Sequence, residues 1–138
     1  MNRASARAAA PAPVCPCRAA DDPAPYAQCC GRYHAGAEEG RAPDAERLMR
    51  SRYSAYALGL TPYLLSTWHP STRPALIEPK PTGWHWLGLQ VRAHTPIDAD
   101  HATVEFVARS KCAGRAQRLH EISRFVREGG RWYYVDAQ

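Results

Sequence analysis

Four cysteines and one histidine lie close together in the stretch CPCRAADDPAPYAQCCGRYH, which runs from Cys15 to His34. Cys15 and Cys17 are separated by one proline, Cys29 and Cys30 are adjacent, and His34 follows four residues later. A tetrahedral Zn²⁺ prefers thiolate and imidazole ligands, which two close pairs joined by a loop can supply. The same thiols could instead form a disulfide knot or a redox centre, and the surrounding sequence must decide between these chemistries.

The residues before the cysteines bear on that choice. The sequence MNRASARAAAPAPV has early arginines, small residues and prolines, but not the apolar core of a secretory signal. We therefore expect residues 1–14 to be a disordered basic tail and the protein to reside in the reducing cytoplasm, where structural disulfides are rare. No apolar run approaches the roughly 20 residues of a membrane-spanning helix, so no membrane span is predicted. This context favours a metal site over a disulfide knot, with redox chemistry as a minor alternative.

A metal held by all four cysteines would be structural. Four thiolates on one Zn²⁺ leave a site charge of about −2, which nearby Arg18 and Arg32 could offset. They also leave no open coordination position, so we expect no catalysis at the metal. Cys112 stands alone in the sequence KCAGR and is predicted to be a bystander.

Length and charge limit the remaining options. The chain has 138 residues and a formal net charge of +5, which suits one ordinary domain with a small appendage. A basic chain can favour nucleic acid or acidic protein surfaces. The arginines are scattered, however, with no block of like charge, so nucleic-acid binding is kept as a weaker alternative.

Helical signals follow the cysteine stretch. Apolar residues recur at helical spacing from Ala45 to Leu58, with Asp44 as the predicted N-cap and Gly59 as the C-terminal stop. Thr61 and Pro62 predict an N-cap and first residue of a second short helix, which ends before His69-Pro70. One further helical turn is predicted near Pro74.

From Trp84 onward the apolar period changes to two, which predicts strands. In the first strand, Leu87, Leu89 and Val91 are predicted to share one face and Trp84 and Trp86 the other. The sequences TPIDAD, CAGR and Gly129-Gly130 predict turns, the last a two-residue hairpin. Later strands should align Ala102, Val104, Phe106 and Ala108 on one face, and Leu119, Glu121, Ser123 and Phe125 on one face. Helices followed by an antiparallel meander predict an α+β fold, with helices on one face of a curved sheet.

The cysteine stretch resembles a known pattern. The C-P-C pair, Tyr26 three residues before the second pair, and the C-C-G that ends at Gly31 are similar to the SEC-C zinc motif, which also forms the extreme C-terminus of the SecA preprotein translocase ATPase. RAADDPAP replaces the motif's glycine-serine-glycine turn in a loop about three residues longer, which adds little closure entropy. The resemblance implies the zinc ligands Cys15, Cys17, Cys29 and Cys30, with His34 as the reserve ligand.

The resemblance extends through RLMRSRYSAYALG, YLLSTWHPSTRP, VEFVAR and LHEISRFVREGGRWYYVD, which are similar to the YchJ-like family of bacterial proteins. That family places a SEC-C motif before a domain of nuclear transport factor 2-like (NTF2-like) fold, a cone of helices wrapped by a bent antiparallel sheet. The implied organisation is a disordered tail at 1–14, a zinc-binding module at 15–34, a linker at 35–43 and the NTF2-like domain at 44–138. Because the linker has few apolar residues, we expect Cys15→Ser to loosen residues 15–34 while the domain from Asp44 onward stays folded.

The cone is the candidate binding or catalytic site. Related cones include ketosteroid isomerase, scytalone dehydratase and many binding modules, so the fold alone does not decide the function. His69, His120 and Glu121 are weak candidates for acid-base catalysis, and structural roles are favoured for both histidines. Trp84, Trp86, Trp132 and Tyr134 are expected in the core or the cone lining. The candidate residues of a ligand pocket are Arg52, Tyr53, Tyr56, Trp68, Arg73 and Arg124.

Together these features predict a cytoplasmic, Zn²⁺-stabilised, non-catalytic binding protein. The zinc module would contact a protein partner, by analogy with its SecA counterpart, and the cone would bind a partner or a small-molecule ligand. The alternative is a small isomerase, dehydratase or hydrolase with its site in the cone. The enzyme requires a deep pocket that holds His69 or His120 beside a carboxylate, whereas the binding module does not.

Overall fold

The structure is a computed structural model that describes residues 13–138, so the predicted tail lies almost entirely outside the described residues. A 3₁₀ turn at Tyr26–Gln28 precedes the first helix. The helices are α1 (Gly31–His34), α2 (Ala45–Leu58) and α3 (Thr61–Ser66). The strands are β1 (His85–Asp98), β2 (His101–Cys112), β3 (Arg115–Glu128) and β4 (Arg131–Ala137). The predicted α+β class, with helices before an antiparallel sheet, is confirmed.

Helix α2 begins and ends where its sequence predicts. The Asp44 carboxylate accepts a hydrogen bond from the Arg47 backbone N–H at 2.8 Å, which satisfies one of the free donors of the first turn. Gly59 ends the helix with a φ of +73°, a left-handed conformation that glycine adopts without a Cβ clash. The start and stop signals of α2 each depend on residues within one helical turn, so they can be recognised in the sequence.

Helix α3 and the segment after it differ in detail from the prediction. Leu60 occupies the N-cap position and Thr61 is the first helical residue, so the helix begins one residue earlier than predicted. Trp68 then pairs with Tyr134 of β4 in a parallel bridge, and the His69 N–H donates to the Tyr134 carbonyl at 2.8 Å. This pairing replaces a helical continuation. The predicted turn of helix near Pro74 is wrong, because residues 73–81, all within the described part of the chain, form an extended loop.

The four strands form one antiparallel sheet in the order β1-β2-β3-β4. The β2–β3 hairpin turns at Ala113 and Gly114, with φ values of +52° and +78°. The β3–β4 hairpin turns at Gly129 and Gly130, with φ values of +59° and +79°. Two consecutive positive φ angles define the type I′ turn that suits the twist of a hairpin. Both predicted turns are thereby confirmed.

Strand β1 departs from the predicted alternation. A bulge lies between Trp86, opposite Ser110, and Gly88, opposite Arg109. The extra residue reverses the alternation, so Trp86 packs against the same core as Leu89 while Leu87 is 57% exposed. The predicted shared face of Leu87 and Leu89 is therefore wrong.

The predicted turn TPIDAD is also shorter than expected. Strand β1 continues through Pro96 to Asp98, and the chain reverses only at Ala99 and Asp100. Because β1 is an edge strand, a proline there removes no hydrogen bond that a central strand would need.

No helix among the described residues is long and apolar enough to cross a membrane.

The core lies between the helices and one face of the sheet. On β2, Ala102, Val104, Phe106 and Ala108, which the sequence aligned on one face, are all buried. Most of the residues between them are more exposed, but Val107 is buried as well. Leu48 of α2 and Leu64 of α3 are buried against this face. The buried cluster also contains Cys15, Cys17 and Cys30. The cysteine stretch is therefore part of the same core as α2 and the sheet.

Candidate metal centre and cavity

The loop that carries the first cysteine pair is closed by backbone pairing. The Cys15 N–H donates to the Ala24 carbonyl at 2.8 Å, and the Tyr26 N–H donates to the Pro13 carbonyl at 2.9 Å. Within the loop, the Arg18 guanidinium pairs with the Asp22 carboxylate at 3.1 Å. These contacts hold the loop without the glycine-serine-glycine turn of the usual motif. They also place residues 13 and 14 in the module, whereas the sequence assigned them to the tail.

The second cysteine pair lies between the 3₁₀ turn and α1. Gly31 follows it directly, and a Cβ added there would lie 2.7 Å from the Tyr26 carbonyl oxygen. Any other residue would have to displace backbone, so the C-C-G pattern has a steric reason. The tight approach turns Cys29 and Cys30 back toward the first pair.

The four sulfur atoms have the spacing of a tetrahedral metal site. The Sγ atoms of Cys15, Cys17, Cys29 and Cys30 all lie within 4.8 Å of one another. The Cys15–Cys17 separation is 3.7 Å and the Cys17–Cys29 separation is 3.6 Å. A tetrahedron with metal–sulfur bonds of about 2.3 Å has sulfur atoms about 3.8 Å apart. These four cysteines could therefore hold one metal ion.

The electrostatics of the cluster call for a cation. Contacts with Cys17 and Cys30 lower the pKa of Cys15, whereas contact with Cys15 raises the pKa of Cys17 to about 12 and also raises the pKa of Cys30. One thiolate thus suppresses ionisation of its neighbours, and a bound cation would relieve that conflict. Contact with Cys29 raises the pKa of Arg18, which is the nearby counter-charge.

Arg32 does not serve as a second counter-charge. Its Nε pairs with the Glu38 carboxylate at 3.2 Å on an exposed part of the module. Arg50 of α2 contacts the cluster instead, since its Nη1 donates to the Cys17 carbonyl at 3.0 Å. No sequence pattern predicted this role for Arg50, because the contact joins residues 33 positions apart.

The module packs directly on α2. The Cys15 Sγ lies 3.5 Å from the Ser54 Oγ, and Arg50 binds the module backbone from the same helix. Ser51 and Ser54 are fully buried. These contacts argue against independent loosening of the module, because α2 supplies a polar surface that packs against the cysteine loop.

His34 connects the module to the same helix. Its Nε2 lies 2.8 Å from the Ser51 carbonyl and donates to it, so the neutral ring accepts the Tyr26 hydroxyl at Nδ1, 2.5 Å away. Burial lowers the pKa of His34, which favours this neutral form. Both ring nitrogens are engaged, and His34 lies outside the group of four clustered ligands.

Replacing His34 with alanine is expected to reduce stability without removing the metal. The change leaves the Tyr26 hydroxyl without its partner, which costs about 1–3 kcal/mol in the free energy of unfolding. Chemical denaturation and elemental analysis of the same sample provide the two readouts. The control is His101→Ala on the exposed β1–β2 turn, where we expect a change within about 0.5 kcal/mol. Loss of the metal from the His34 variant would show that His34 is a ligand.

A cavity of about 200 Å³ lies between α2 and the inner face of the sheet. Several predicted pocket residues line it, namely Arg52, Tyr53, Tyr56 and Trp68. Glu121, which the sequence suggested as a weak catalytic candidate, also lines it, as do the expected cone residues Trp86 and Tyr134. Trp84 stacks edge-on against Trp86 at 5.7 Å. The sequence did not identify Met49, Lys80, Phe106 and Leu119 as cavity residues.

Arg52 is the main charged group of the cavity wall and is only 6% exposed. Its Nη1 donates to the Leu64 carbonyl and to the Thr67 hydroxyl, both at 2.7 Å. The guanidinium lies 5.0 Å from the ring of Trp68 and 4.7 Å from that of Tyr134, in cation–π contact. These contacts hold the guanidinium in place at the wall of the cavity.

The other candidates lie elsewhere. Arg73 donates to the Trp68 carbonyl at 2.9 Å, and Arg124 pairs with Asp136 at 2.6 Å on the exposed side of the sheet. The His120 Nε2 lies 2.7 Å from the Glu105 carboxylate, a cross-strand pair between β3 and β2. His69 lies beside Glu128 at 3.0 Å. Arg73, Arg124, His69 and His120 are absent from the described cavity lining. Cys112 stands apart from the cluster, beside the Thr82 carbonyl.

Comparison with known sequences agrees with the fold. A family model described as the YchJ middle NTF2-like domain matches residues 44–137. A UPF0225 protein of Bordetella parapertussis is 60% identical over 124 residues, which cover 90% of this chain and 91% of that protein. A UPF0225 protein of Methylibium petroleiphilum is 61% identical over 129 residues, which cover 94% and 90%.

Two solved structures are similar to this chain over most of its length. A SEC-C motif protein from Psychrobacter arcticus has a TM-score of 0.73 and 37% identity, with 88% of this chain and 80% of that chain covered. A SEC-C motif protein from Rhodopseudomonas palustris has a TM-score of 0.75 and 32% identity, with 90% and 96% covered. The chain therefore belongs to the YchJ-like UPF0225 family of bacterial proteins, in which a SEC-C motif accompanies an NTF2-like domain.

Proposed function

We propose that this protein is a zinc-stabilised binding protein whose cone cavity receives a small molecule. Cys15, Cys17, Cys29 and Cys30 are the proposed ligands of one Zn²⁺. Tetrahedral four-sulfur sites take zinc or iron–sulfur centres, and the short spacing of these sulfurs suits a single ion. When bound, zinc would be fully coordinated by the four thiolates, so it would cross-link the cysteine loop to the start of α1 and would take no part in a reaction.

The observation that carries the binding role is the composition of the cavity. Aromatic side chains from α2, β1 and β4 surround one buried arginine, and the space between them measures about 200 Å³. Binding sites for small molecules are concave and mostly apolar, with a few placed polar groups. An engineered apolar cavity of about 150 Å³ suffices for benzene.

The enzyme alternative receives less support from the same cavity. It required a histidine beside a carboxylate inside the cone, but Glu121 lines the cavity without His69 or His120. The His120–Glu105 pair lies on the other face of the sheet, and the His120 side chain is 44% exposed. No histidine is among the described residues that line the cavity.

The partner and compartment proposals follow from the cluster and the surface charges. We place the protein in the cytoplasm, where the free thiols of the cluster would stay available for metal. A protein partner at the zinc module stays a prediction. Nucleic-acid binding is less favoured, since many arginines pair with carboxylates, including Arg18, Arg32, Arg47, Arg50, Arg124 and Arg127.

The cavity can be tested by filling it. Benzoate and benzyl alcohol are titrated into the ¹⁵N-labelled protein, and saturable shifts are expected for residues of the cavity wall with either probe. Ala108 lines the cavity and is 2% exposed, so Ala108→Leu should abolish these shifts. Ala116→Leu, at an exposed position of β3, should leave them unchanged. The proposed binding role would be wrong if neither probe produced saturable shifts in the wild type.

A further inference from the structure

The Arg52 guanidinium has hydrogen-bond donors that the protein does not use. Only Nη1 has partners among the described residues, the Leu64 carbonyl and the Thr67 hydroxyl. Nε and Nη2 have none, and neither atom belongs to the fully buried polar atoms that lack a partner. These two nitrogens therefore remain open on the side where Arg52 lines the cavity. Guanidinium nitrogens form a fork that matches the two oxygens of a carboxylate.

The positive charge of Arg52 also lacks a direct counter-ion. No ion pair joins it to a carboxylate among the described residues. Glu121, which also lines the cavity, acts on Arg52 through space without an ion pair. Burial lowers the pKa of Arg52 to about 10, so it is still charged at neutral pH. A buried charge without a partner is costly. An anion bound in the cavity would remove that cost.

The remaining charges limit the anion to one negative charge. Lys80 lies at the wall with its Nζ 4.7 Å from the Trp84 ring and 5.6 Å from the Trp86 ring. Glu121 accepts a hydrogen bond from the Ser123 hydroxyl at 2.8 Å. Arg52 and Lys80 against Glu121 give the lining one excess positive charge. A dianion would leave one negative charge unbalanced in a low-dielectric space and be disfavoured.

The apolar walls define the body of the ligand. The ring centroids of Tyr53 and Tyr56 lie 5.5 and 6.3 Å from that of Trp86. The three rings together form an aromatic wall of the cavity. Phe106 and Phe125 line it from the sheet. A planar ring in the ligand would be stabilised by stacking and edge contacts with these aromatic side chains. The cavity volume of about 200 Å³ has room for a single substituted ring.

We infer that the cavity selects a small aromatic monocarboxylate, with its carboxylate on the free nitrogens of Arg52 and its ring between the aromatic walls. This inference rests on the proposed binding role and gives that role a ligand class. Glu121 then acts as a selectivity element, because it repels a second anionic group on the ligand and accepts a hydrogen bond from a neutral donor.

The test compares benzoate with benzyl alcohol, a neutral ring of similar size, and with benzylammonium, in calorimetric and NMR titrations of the full chain. We expect benzoate to bind at least about tenfold more tightly than benzyl alcohol, the margin of a charge-assisted hydrogen bond. Benzylammonium should bind most weakly. Arg52→Gln should remove the preference for benzoate, because it lowers the affinity for benzoate far more than the affinity for benzyl alcohol.

A second variant keeps the test valid if the Arg52 variant fails to fold. Glu121→Gln retains an acceptor for the Ser123 hydroxyl but removes the negative charge, so benzoate should bind about three- to tenfold more tightly, whereas benzyl alcohol, which carries no charge, should not bind more tightly. Equal affinity for benzoate and benzyl alcohol, or no gain with Glu121→Gln, would overturn the inference while leaving the cavity a binding site. Absence of binding by all probes would overturn both.

Discussion

Cys17→Ser is expected to lower the free energy of unfolding of the whole chain by more than about 4 kcal/mol, the range of mutations that remove a structural metal. Cys17 is fully buried, and its sulfur lies between those of Cys15 and Cys29. Its carbonyl also accepts the hydrogen bond from Arg50 of α2. Loss of the metal should therefore loosen the support of α2 as well as the cysteine loop.

This result would appear as one shared unfolding transition. Denaturation followed by tryptophan fluorescence, which reports the sheet and the cone, should shift together with ¹⁵N signals of residues 15–34. A metal chelator added to the wild type should have the same effect. Cys112→Ser provides the matched control, because Cys112 is the last residue of β2 and lies outside the cluster. If the sheet kept its wild-type stability in the Cys17 variant, the module would be independent of the core.

Leu48→Ala should produce the second large loss, about 2–5 kcal/mol in the free energy of unfolding. Leu48 lies on α2 and is fully buried in the cluster that joins the cysteines to the sheet. Alanine would leave a void that close-packed neighbours fill only in part. The same helix carries Arg52 and Tyr53 of the cavity wall, so probe binding should weaken as well.

Leu58→Ala is the control for this prediction. It makes the same side-chain change on the same helix, but Leu58 is 47% exposed. We expect a loss below about 1 kcal/mol there, which thermal and chemical denaturation can distinguish from the Leu48 effect. Equal losses at the two positions would mean that α2 does not pack on the core as described.

The features that the sequence predicted well depend on neighbouring residues. Asp44 caps the start of α2 and Gly59 ends it, both through contacts within one helical turn. Gly129 and Gly130 form their hairpin turn because both residues adopt positive φ angles. The alternation along β2 and β3 correctly placed Phe106, Glu121 and Ser123 on the inner face. The resemblance to the SEC-C and YchJ-like patterns added the order of module and cone.

The features that the sequence missed depend on contacts between distant segments. The bulge in β1 is fixed by pairing with β2, and it reverses the exposure of Leu87. Lys80 reaches the cavity from a loop without periodic signals. Sequence patterns also failed to predict the packing of the module on α2. The pair Ser51 and Ser54 could have indicated it, because two small polar residues three positions apart share one face of a helix.

Elemental analysis of protein purified without an affinity tag, under reducing conditions, tests the central claim most directly. Zinc and iron are both measured, in the wild type, Cys17→Ser and Cys112→Ser. The account predicts about one zinc ion per chain in the wild type and in Cys112→Ser, with little iron, and a large loss in Cys17→Ser. Less than about 0.2 zinc per chain in the wild type would contradict a structural zinc site with four thiolate ligands.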